Sequence, residues 1–207
     1  MSGIVNQPAL ADLARPARNP AGVSTFGRTL IDDANAATAR TTLGLGSGDS
    51  PTFVGLTLSD NYTNSGQPAF LAVNSANDDN VTGNGTVVTV DFDTEIFDQG
   101  ADFSADTFTA PVTGRYLITA AVRLGGITVA ADDTLIQFVS SNRAYQSVYV
   151  FTNSIPSSFV ITINAVADMD ASDTVNVQVR VQGEASDVVD ITGSAAPQTY
   201  FSGCLLA

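Results

Sequence analysis

The chain has 207 residues, of which 44% are apolar, and its formal net charge at pH 7 is −13. This apolar content is typical of a folded globular protein, and no run of about 18 apolar residues is present that could form a transmembrane helix. All eight basic residues are arginines. The absence of histidine and lysine excludes Ser-His-Asp triads, Cys-His pairs, histidine-based metal sites and Schiff-base chemistry, so we expect a protein that is not an enzyme.

The charge is distributed unevenly along the chain. Residues 1–48 carry four arginines and three aspartates, a net charge of +1, whereas residues 49–207 carry four arginines and 18 acidic residues, a net charge of −14. An acidic surface of this kind repels phosphate backbones, so we expect no nucleic-acid partner. It also keeps the exposed sheet surfaces of separate molecules apart.

The first segment, residues 1–28, contains three prolines, three of the arginines and little hydrophobic periodicity. This composition predicts an extended arm docked on another protein. The arm lacks the apolar core of a secretory signal peptide, so we expect no such peptide and no insertion into a membrane.

A single helix of roughly 14 residues, near 30–43, is predicted after the arm. Thr29 and Asp32 form a capping box, alanines fill the interior, and Gly44 follows as the C-terminal cap. The apolar face of this helix is narrow and lined by small residues, which permits close approach of an identical helix. The face consists of Leu30, Ala34 and Ala37.

Residues 41–58, with the sequence TTLGLGSGDSPTFVGLTL, have neither a helical nor a strand period. Isolated apolar side chains among glycines cannot form a core in one chain, but three copies around an axis can, because each position becomes a layer of three. We therefore expect residues 29–68 to form a trimeric shaft; a flexible linker is the alternative. The apolar residues of this segment are Leu43, Leu45, Phe53, Leu56 and Leu58.

From residue 69 onward the sequence predicts an antiparallel jelly-roll β-sandwich, so the protein is mostly β. In residues 173–182, four valines alternate with polar residues, the period-2 pattern of a strand with one buried face. Similar runs are separated by clusters of turn residues such as 77–80, with no helix between them. The other runs are 69–75, 86–92, 115–124, 134–140, 146–152, 159–167 and 198–206.

The spacing of aromatic residues before Gly114 and Tyr116, together with the closing run FSGCLL at 201–206, resembles the globular head of complement subcomponent q. That family consists of jelly rolls related to tumour necrosis factor. Two departures occur: the gap between Phe103 and Phe108 is shorter than in the family, and Ile118 stands where an aromatic residue is usual. The predicted core residues are Phe92, Phe97, Phe103, Phe108, Tyr116 and Phe201.

Residues 27–45 and the run SPTFVGLTL at 50–58 resemble the recurrent, trimeric shaft modules of bacteriophage head and tail fibres. The resemblance implies a homotrimeric fibre or spike on the outer surface of a virion. Residues 1–28 would anchor it to a capsid or tail protein, and the jelly roll at 69–207 would bind a host-surface glycan or protein through loops at its exposed tip. The alternatives are a capsid or neck decoration fibre without a receptor and a secreted bacterial adhesin, which the missing signal peptide disfavours.

Two sets of polar residues in the predicted head are candidates for contacts with other molecules. The acidic run 168–173 has the oxygen-rich composition of a calcium loop but lacks the glycine and distal glutamate of an EF-hand. We therefore prefer a solvated acidic turn and expect no cofactor, with calcium as the alternative. The calcium candidates are Asp168, Asp170 and Asp173. The candidate receptor contacts are Tyr62, Asn142, Arg143, Tyr145 and Asn153.

Overall fold

The computed structural model describes residues 23–31, 33–52, 64–152 and 157–207. The chain divides into two compact units, residues 1–62 and 63–207. Within the described ranges, no helix is long and apolar enough to cross a membrane. Several predicted positions lie outside these ranges: the first 22 residues of the arm, Phe53, Leu56, Leu58, Tyr62 and Asn153.

The first unit contains two short helices where the sequence predicts a single one. They are α1 (Thr25–Ile31) and α2 (Ala36–Thr42). The single-helix prediction is wrong because Asn35 begins a new helix: its backbone is extended, and its side-chain Oδ1 accepts hydrogen bonds from two backbone N–H groups of the first turn. Thr29, the predicted cap, lies inside α1, where its hydroxyl donates to the carbonyl oxygen of Phe26 at 2.8 Å.

Helix α2 ends at the predicted glycine. Gly44 has a φ of +70°, and its N–H donates to the carbonyl oxygen of Thr41. The N–H of Leu45 donates to the carbonyl oxygen of Arg40, which completes a Schellman motif. Neither helix buries a residue, and Leu43 and Leu45 are 47% and 42% exposed. Self-association of this segment therefore stays a prediction.

The second unit consists of short strands. They are β1 (Ala69–Val73), β2 (Asp78–Thr82), β3 (Val87–Thr89), β4 (Thr94–Gln99), β5 (Phe103–Ser104), β6 (Thr107–Thr109), β7 (Gly114–Gly125), β8 (Asp133–Ser140), β9 (Ala144–Val150), β10 (Ser158–Met169), β11 (Thr174–Gln182), β12 (Val189–Ile191) and β13 (Tyr200–Leu205). Each of the eight predicted runs contains one of them. The prediction of a turn at 77–80 is wrong for its last three residues, which belong to β2; the polar sequence of this strand has no alternating pattern, but the strand pairs with β12.

The strands form two antiparallel sheets that confirm the predicted jelly-roll sandwich. The first sheet has the order β2-β12-β7-β13-β1-β4, with β10 paired to β7. The second sheet has the order β5-β6-β11-β8-β9, with β3 paired to β11. The alternating valines of β11 are fully buried between the sheets, as the period-2 pattern predicts.

Aromatic rings fill the centre of the sandwich. Phe70 stacks on Phe108 and Phe103, with ring centroids 4.8 and 5.1 Å apart, and Phe201 meets Phe70 edge-on at 4.9 Å. Five of the six predicted core aromatics are buried: Phe92, Phe103, Phe108, Tyr116 and Phe201.

Phe97 is the exception, because its side chain is 50% exposed on the outside of the first sheet. The register of β4 explains this, because Phe97 pairs with Leu71. A bulge follows, since the next residue of β1, Ala72, pairs with Glu95 and leaves Ile96 without a partner. Since Phe70 and Ala72 face the core, the Leu71–Phe97 pair faces outward. The predicted core role of Phe97 is therefore wrong.

The chain enters the sandwich at one end, which we call the base end. Ala69 pairs with Cys204 there, and the side-chain Nε2 of Gln67 donates to the carbonyl oxygen of Leu205 at 2.7 Å. Strand β7 runs from this end to the opposite one, which we call the far end. Strands β7, β9 and β11 finish at the far end, so loops β7–β8 and β11–β12 lie there.

Candidate functional site

The structure brings predicted receptor contacts and predicted calcium candidates together. Arg143 Nη2 lies 3.0 Å from Asp168 Oδ2 in an exposed ion pair, and Asn142 Nδ2 donates to Asp173 Oδ2 at 2.7 Å. Beside them, Asn142, Asp168 and Asp170 contribute to the lining of an open pocket of about 260 Å³. We call these five residues the base-end cluster.

The carboxylates of this cluster are already used within the protein. Asp173 Oδ2 also accepts from the backbone N–H of Asp170 at 2.8 Å, and Asp168 is paired with Arg143. Across the described ranges, no group of three or more Asp, Glu or Cys side chains is arranged to hold a metal ion. The acidic residues instead connect turn β8–β9 to turn β10–β11.

The location of the cluster differs from the predicted one. Receptor contacts are expected at an exposed tip, but Asn142 and Arg143 lie at the base end, because β8 finishes beside the start of β11. Tyr145 does not join them: it pairs with Phe138, and its partly buried ring packs against the core. The sequence could not show this, because it gives no information on which end of the sandwich a turn occupies.

The outer side of the first sheet carries an apolar surface, which we call the first-sheet face. Leu117 and Val166 are paired directly, and strand alternation puts both on the solvent side. These apolar side chains are therefore 38% and 54% exposed. Leu71, Ile96 and Tyr200 contribute to the lining of an apolar groove on the same side. The face consists of Leu71, Ile96, Phe97, Leu117, Val166, Tyr200 and Cys204.

A second exposed apolar group lies on the neighbouring edge of the sandwich, where β9 and β10 are the last strands of their sheets. The rings of Tyr149, Phe151 and Phe159 lie 4.9–5.9 Å apart, and Tyr149 is 50% exposed. We call these residues the three-ring cluster. Strand β9 carries no charged residue, so its side of this edge is uncharged.

A family model described as the C1q domain matches residues 69–206, two thirds of the chain. The chain belongs to the C1q domain family. The match spans both segments that carry the resemblance in the sequence, the turn leading to Gly114 and Tyr116 and the closing strand β13. These residues are structural: Tyr116 is buried, and its hydroxyl donates to the carbonyl oxygen of Val112 at 2.7 Å.

A solved structure with a TM-score of 0.50 supports the fold of this C1q domain. The globular domain of zebrafish complement 1qA has a TM-score of 0.50 and 18% identity, covering 68% of this chain and 98% of its own. Murine APRIL at pH 8.5 has a TM-score of 0.46 and 13% identity, covering 68% of this chain and 99% of its own. A comparison with curated proteins finds no match. At these identities, the likeness shows the fold alone.

Acidic residues hold the far-end loops of the C1q domain together. The buried carboxylate of Glu184 accepts from the backbone N–H and the hydroxyl of Thr128, at 2.7 and 2.8 Å. Asp187 likewise accepts from the hydroxyl of Thr86, and Asp190 accepts from the backbone N–H of Asn80. Part of the negative charge therefore serves to connect loops.

Other carboxylates of the C1q domain repel each other. Burial raises the pKa of Asp78, and the nearby carboxylates of Asp93 and Asp106 raise it further. Partial desolvation and then Asp106 also raise the pKa of Asp91. Burial acts in the same direction on Asp93, but hydrogen bonds from Ser75 and Thr94 outweigh it and lower the pKa of that group.

The raised pKa values of Asp78 and Asp91 predict that the melting temperature rises as the pH is lowered from 7 towards the ordinary carboxylate range near 4, whereas the lowered pKa of Asp93 acts in the opposite direction. A carboxyl whose folded-state pKa lies above its unfolded value takes up protons more readily in the folded protein, so protonation stabilises the fold as the pH falls. Asp91→Asn should raise the melting temperature at pH 7 and reduce this dependence, whereas Asp187→Asn, which only weakens a loop contact, should not. Thermal scans at several pH values test this, and a melting temperature that is highest at pH 7 contradicts it.

Proposed function

We propose that the protein is a homotrimeric virion fibre or spike whose C1q domain is a non-catalytic adhesion module for a host-surface glycan or protein. The observation that carries the proposal is the exposed apolar first-sheet face. Apolar patches of this kind on soluble proteins mark surfaces for association. The resemblance of residues 27–58 to fibre shafts supports the choice of a fibre.

The two apolar surfaces support a ring of copies. The first-sheet face and the three-ring cluster lie on different sides of the sandwich, so packing the cluster of one copy against the face of the next is a head-to-tail contact. Contacts of this type close into rings when the rotation allows it. The isolated apolar residues of the shaft favour a ring of three, because three copies turn each of them into a layer.

Attachment by such a trimer needs no catalytic group. Three weak sites on one fibre raise the apparent affinity, because binding at one site holds the other two near the surface. The negative charge of the C1q domain limits the non-specific adhesion of fibres to one another and to polyanions. The sequence contains no histidine or lysine that could serve in catalysis, which is consistent with a role in binding.

Leu117→Asp tests the proposal, because it introduces a charge at the centre of the first-sheet face. In the full-length protein we expect light scattering to show a trimer for the wild type and, for the variant, a trimer that dissociates at a higher protein concentration than the wild type, because only the shaft still holds the copies together. Binding to host cells should fall about 100-fold or more, since avidity is lost with the trimer. The control is Val129→Asp, which introduces the same charge at a loop residue that is 88% exposed.

Two outcomes contradict the proposal. A well-folded wild-type protein that stays monomeric at all concentrations removes the trimer. A trimeric wild-type protein that does not bind host cells removes the attachment role and leaves a decoration fibre.

A further inference from the structure

The outer side of the second sheet carries no net charge, although the protein as a whole has a net charge of −13. Among the outward-facing residues of its described strands, only Arg180 and Asp133 are charged, and these two form an ion pair with each other. The other acidic residues of the domain lie in loops or in strands of the first sheet. We call this side the second-sheet face.

Three glutamines form a row across the middle of the second-sheet face. Gln146, Gln137 and Gln178 are register partners on β9, β8 and β11. Gln146 Nε2 donates to Gln137 Oε1 at 2.6 Å, and Gln137 Nε2 donates to Gln178 Oε1 at 2.8 Å. Thr89 on β3 continues the row beyond Gln178. Four strands at a spacing of about 4.8 Å give this row a length of about 14 Å.

The hydrogen bonds within the row fix the amides and leave part of each one free. An amide has two N–H donors and an oxygen with two lone pairs, and each bond in the row uses one donor and one lone pair. Gln178 Nε2 and Gln146 Oε1 take no part in these two bonds. The row therefore presents donors and acceptors side by side in fixed positions.

A second row runs parallel to the amide row on the same face. Val148, Leu135, Arg180 and Val87 are register partners across β9, β8, β11 and β3. Val148 and Val87, at the two ends of the row, are 56% and 48% exposed, whereas Leu135 is buried and Arg180 is paired with Asp133. The second-sheet face thus combines a strip of polar amides with the exposed C–H surface of two valines.

We propose that the second-sheet face binds an uncharged polysaccharide, an inference that rests on the proposed attachment function. Sugar hydroxyls both donate and accept hydrogen bonds, as the free amide groups require, and the C–H faces of sugar rings match the exposed side chains of Val87 and Val148. An anionic glycan would be repelled by the acidic residues elsewhere on the domain, and the second-sheet face has no positive patch that would compensate for this repulsion. A second copy of the sheet packed here would leave the free amide groups without partners, which is costly, so a hydroxyl-rich ligand is the better occupant.

The test measures binding of the full-length protein to immobilised uncharged oligosaccharides (glucans, mannans and galactans), to acidic oligosaccharides and to host cells. We expect the wild type to bind an uncharged member of the panel. Gln137→Leu and Gln178→Leu keep the side-chain size but remove the fixed amides, so each should weaken this binding about tenfold or more. Gln198→Leu, at an exposed loop position, is the matched control and should bind like the wild type.

The outcomes separate this inference from the proposed function. If the wild type and the glutamine variants bind equally, or if acidic sugars are preferred, the assignment of the glycan site to the second-sheet face is wrong, while the proposed cell attachment stands. If the wild type does not bind host cells, both the proposed attachment function and the glycan site are wrong. A change of oligomeric state in Gln137→Leu shows a contact between copies and overturns the glycan site. If Gln137→Leu does not fold, Gln146→Leu on the exposed edge strand, which loses a single hydrogen bond, decides in the same way.

Discussion

Replacing Phe201 with alanine is expected to lower the free energy of unfolding by about 3–5 kcal/mol. Phe201 is fully buried, and its ring lies 4.9 Å from that of Phe70 in the first sheet and 5.8 and 6.0 Å from those of Phe138 and Phe103 in the second sheet. Its removal leaves a cavity between the two sheets that rigid strands cannot close. Since a domain is stable by only about 5–15 kcal/mol, this is a large fraction of the total. Denaturant unfolding measures the loss.

Phe97→Ala is the matched control, because it deletes the same ring from the same sheet at a position that is 50% exposed. We expect a much smaller loss. Both variants should be unfolded at two protein concentrations, because any contribution of association to the apparent stability depends on concentration. Equal losses for the two phenylalanines would contradict the assignment of Phe201 to the core and of Phe97 to the surface.

Gly193→Ala is expected to destabilise the fold by about 1–3 kcal/mol or more. A Cβ at this position would overlap the side-chain oxygen of Asn74 and the carbonyl oxygen of Ala76, well inside the 3.0 Å that real Cβ contacts respect. Neither neighbour can move freely. Asn74 is buried and donates to Asp78, and the backbone N–H of Gly193 itself donates to Asn77 Oδ1. The glycine is required here by the close approach of two loops.

Gly66→Ala is the control for this substitution. The nearest heavy atom to a Cβ at residue 66 is Asn64 Oδ1, at 3.6 Å, which is an ordinary contact. Thermal unfolding should therefore separate the two variants, with the melting temperature lowered only for Gly193→Ala. A Gly193→Ala protein that melts with the wild type would show that the two loops are further apart than the structure indicates.

The sandwich could be predicted because its strands bury one side each. The valines of β11 and the aromatic spacing before Tyr116 follow directly from that condition, and the structure places them in the core. Phe97 could not be placed, because its facing is set by its pairing with Leu71, which the aromatic spacing does not reveal. The helix start at Asn35 could not be predicted either, since an asparagine within an alanine-rich run caps a helix only when its backbone is extended.

The candidate surfaces depended even more on the fold. Gln178 lies 41 residues after Gln137 in the chain, and only strand pairing brings these two and Gln146 into one row. The first-sheet face likewise draws on five strands. Sequence reasoning could identify which residues are polar or apolar at outward positions, but it could not order the strands and therefore could not assemble a surface from them.

The far-end loops have a consequence for engineering that follows from the position of the base end. Since the polypeptide joins the sandwich at the base end, foreign peptides inserted into loop β7–β8 or β11–β12 would project away from that junction. Surface loops accept such insertions well when their anchoring contacts are kept. Here the contacts to keep are those of Glu184 and Asp187. Grafts are therefore best made between Ala185 and Ser186, where the C1q domain could serve as a display scaffold.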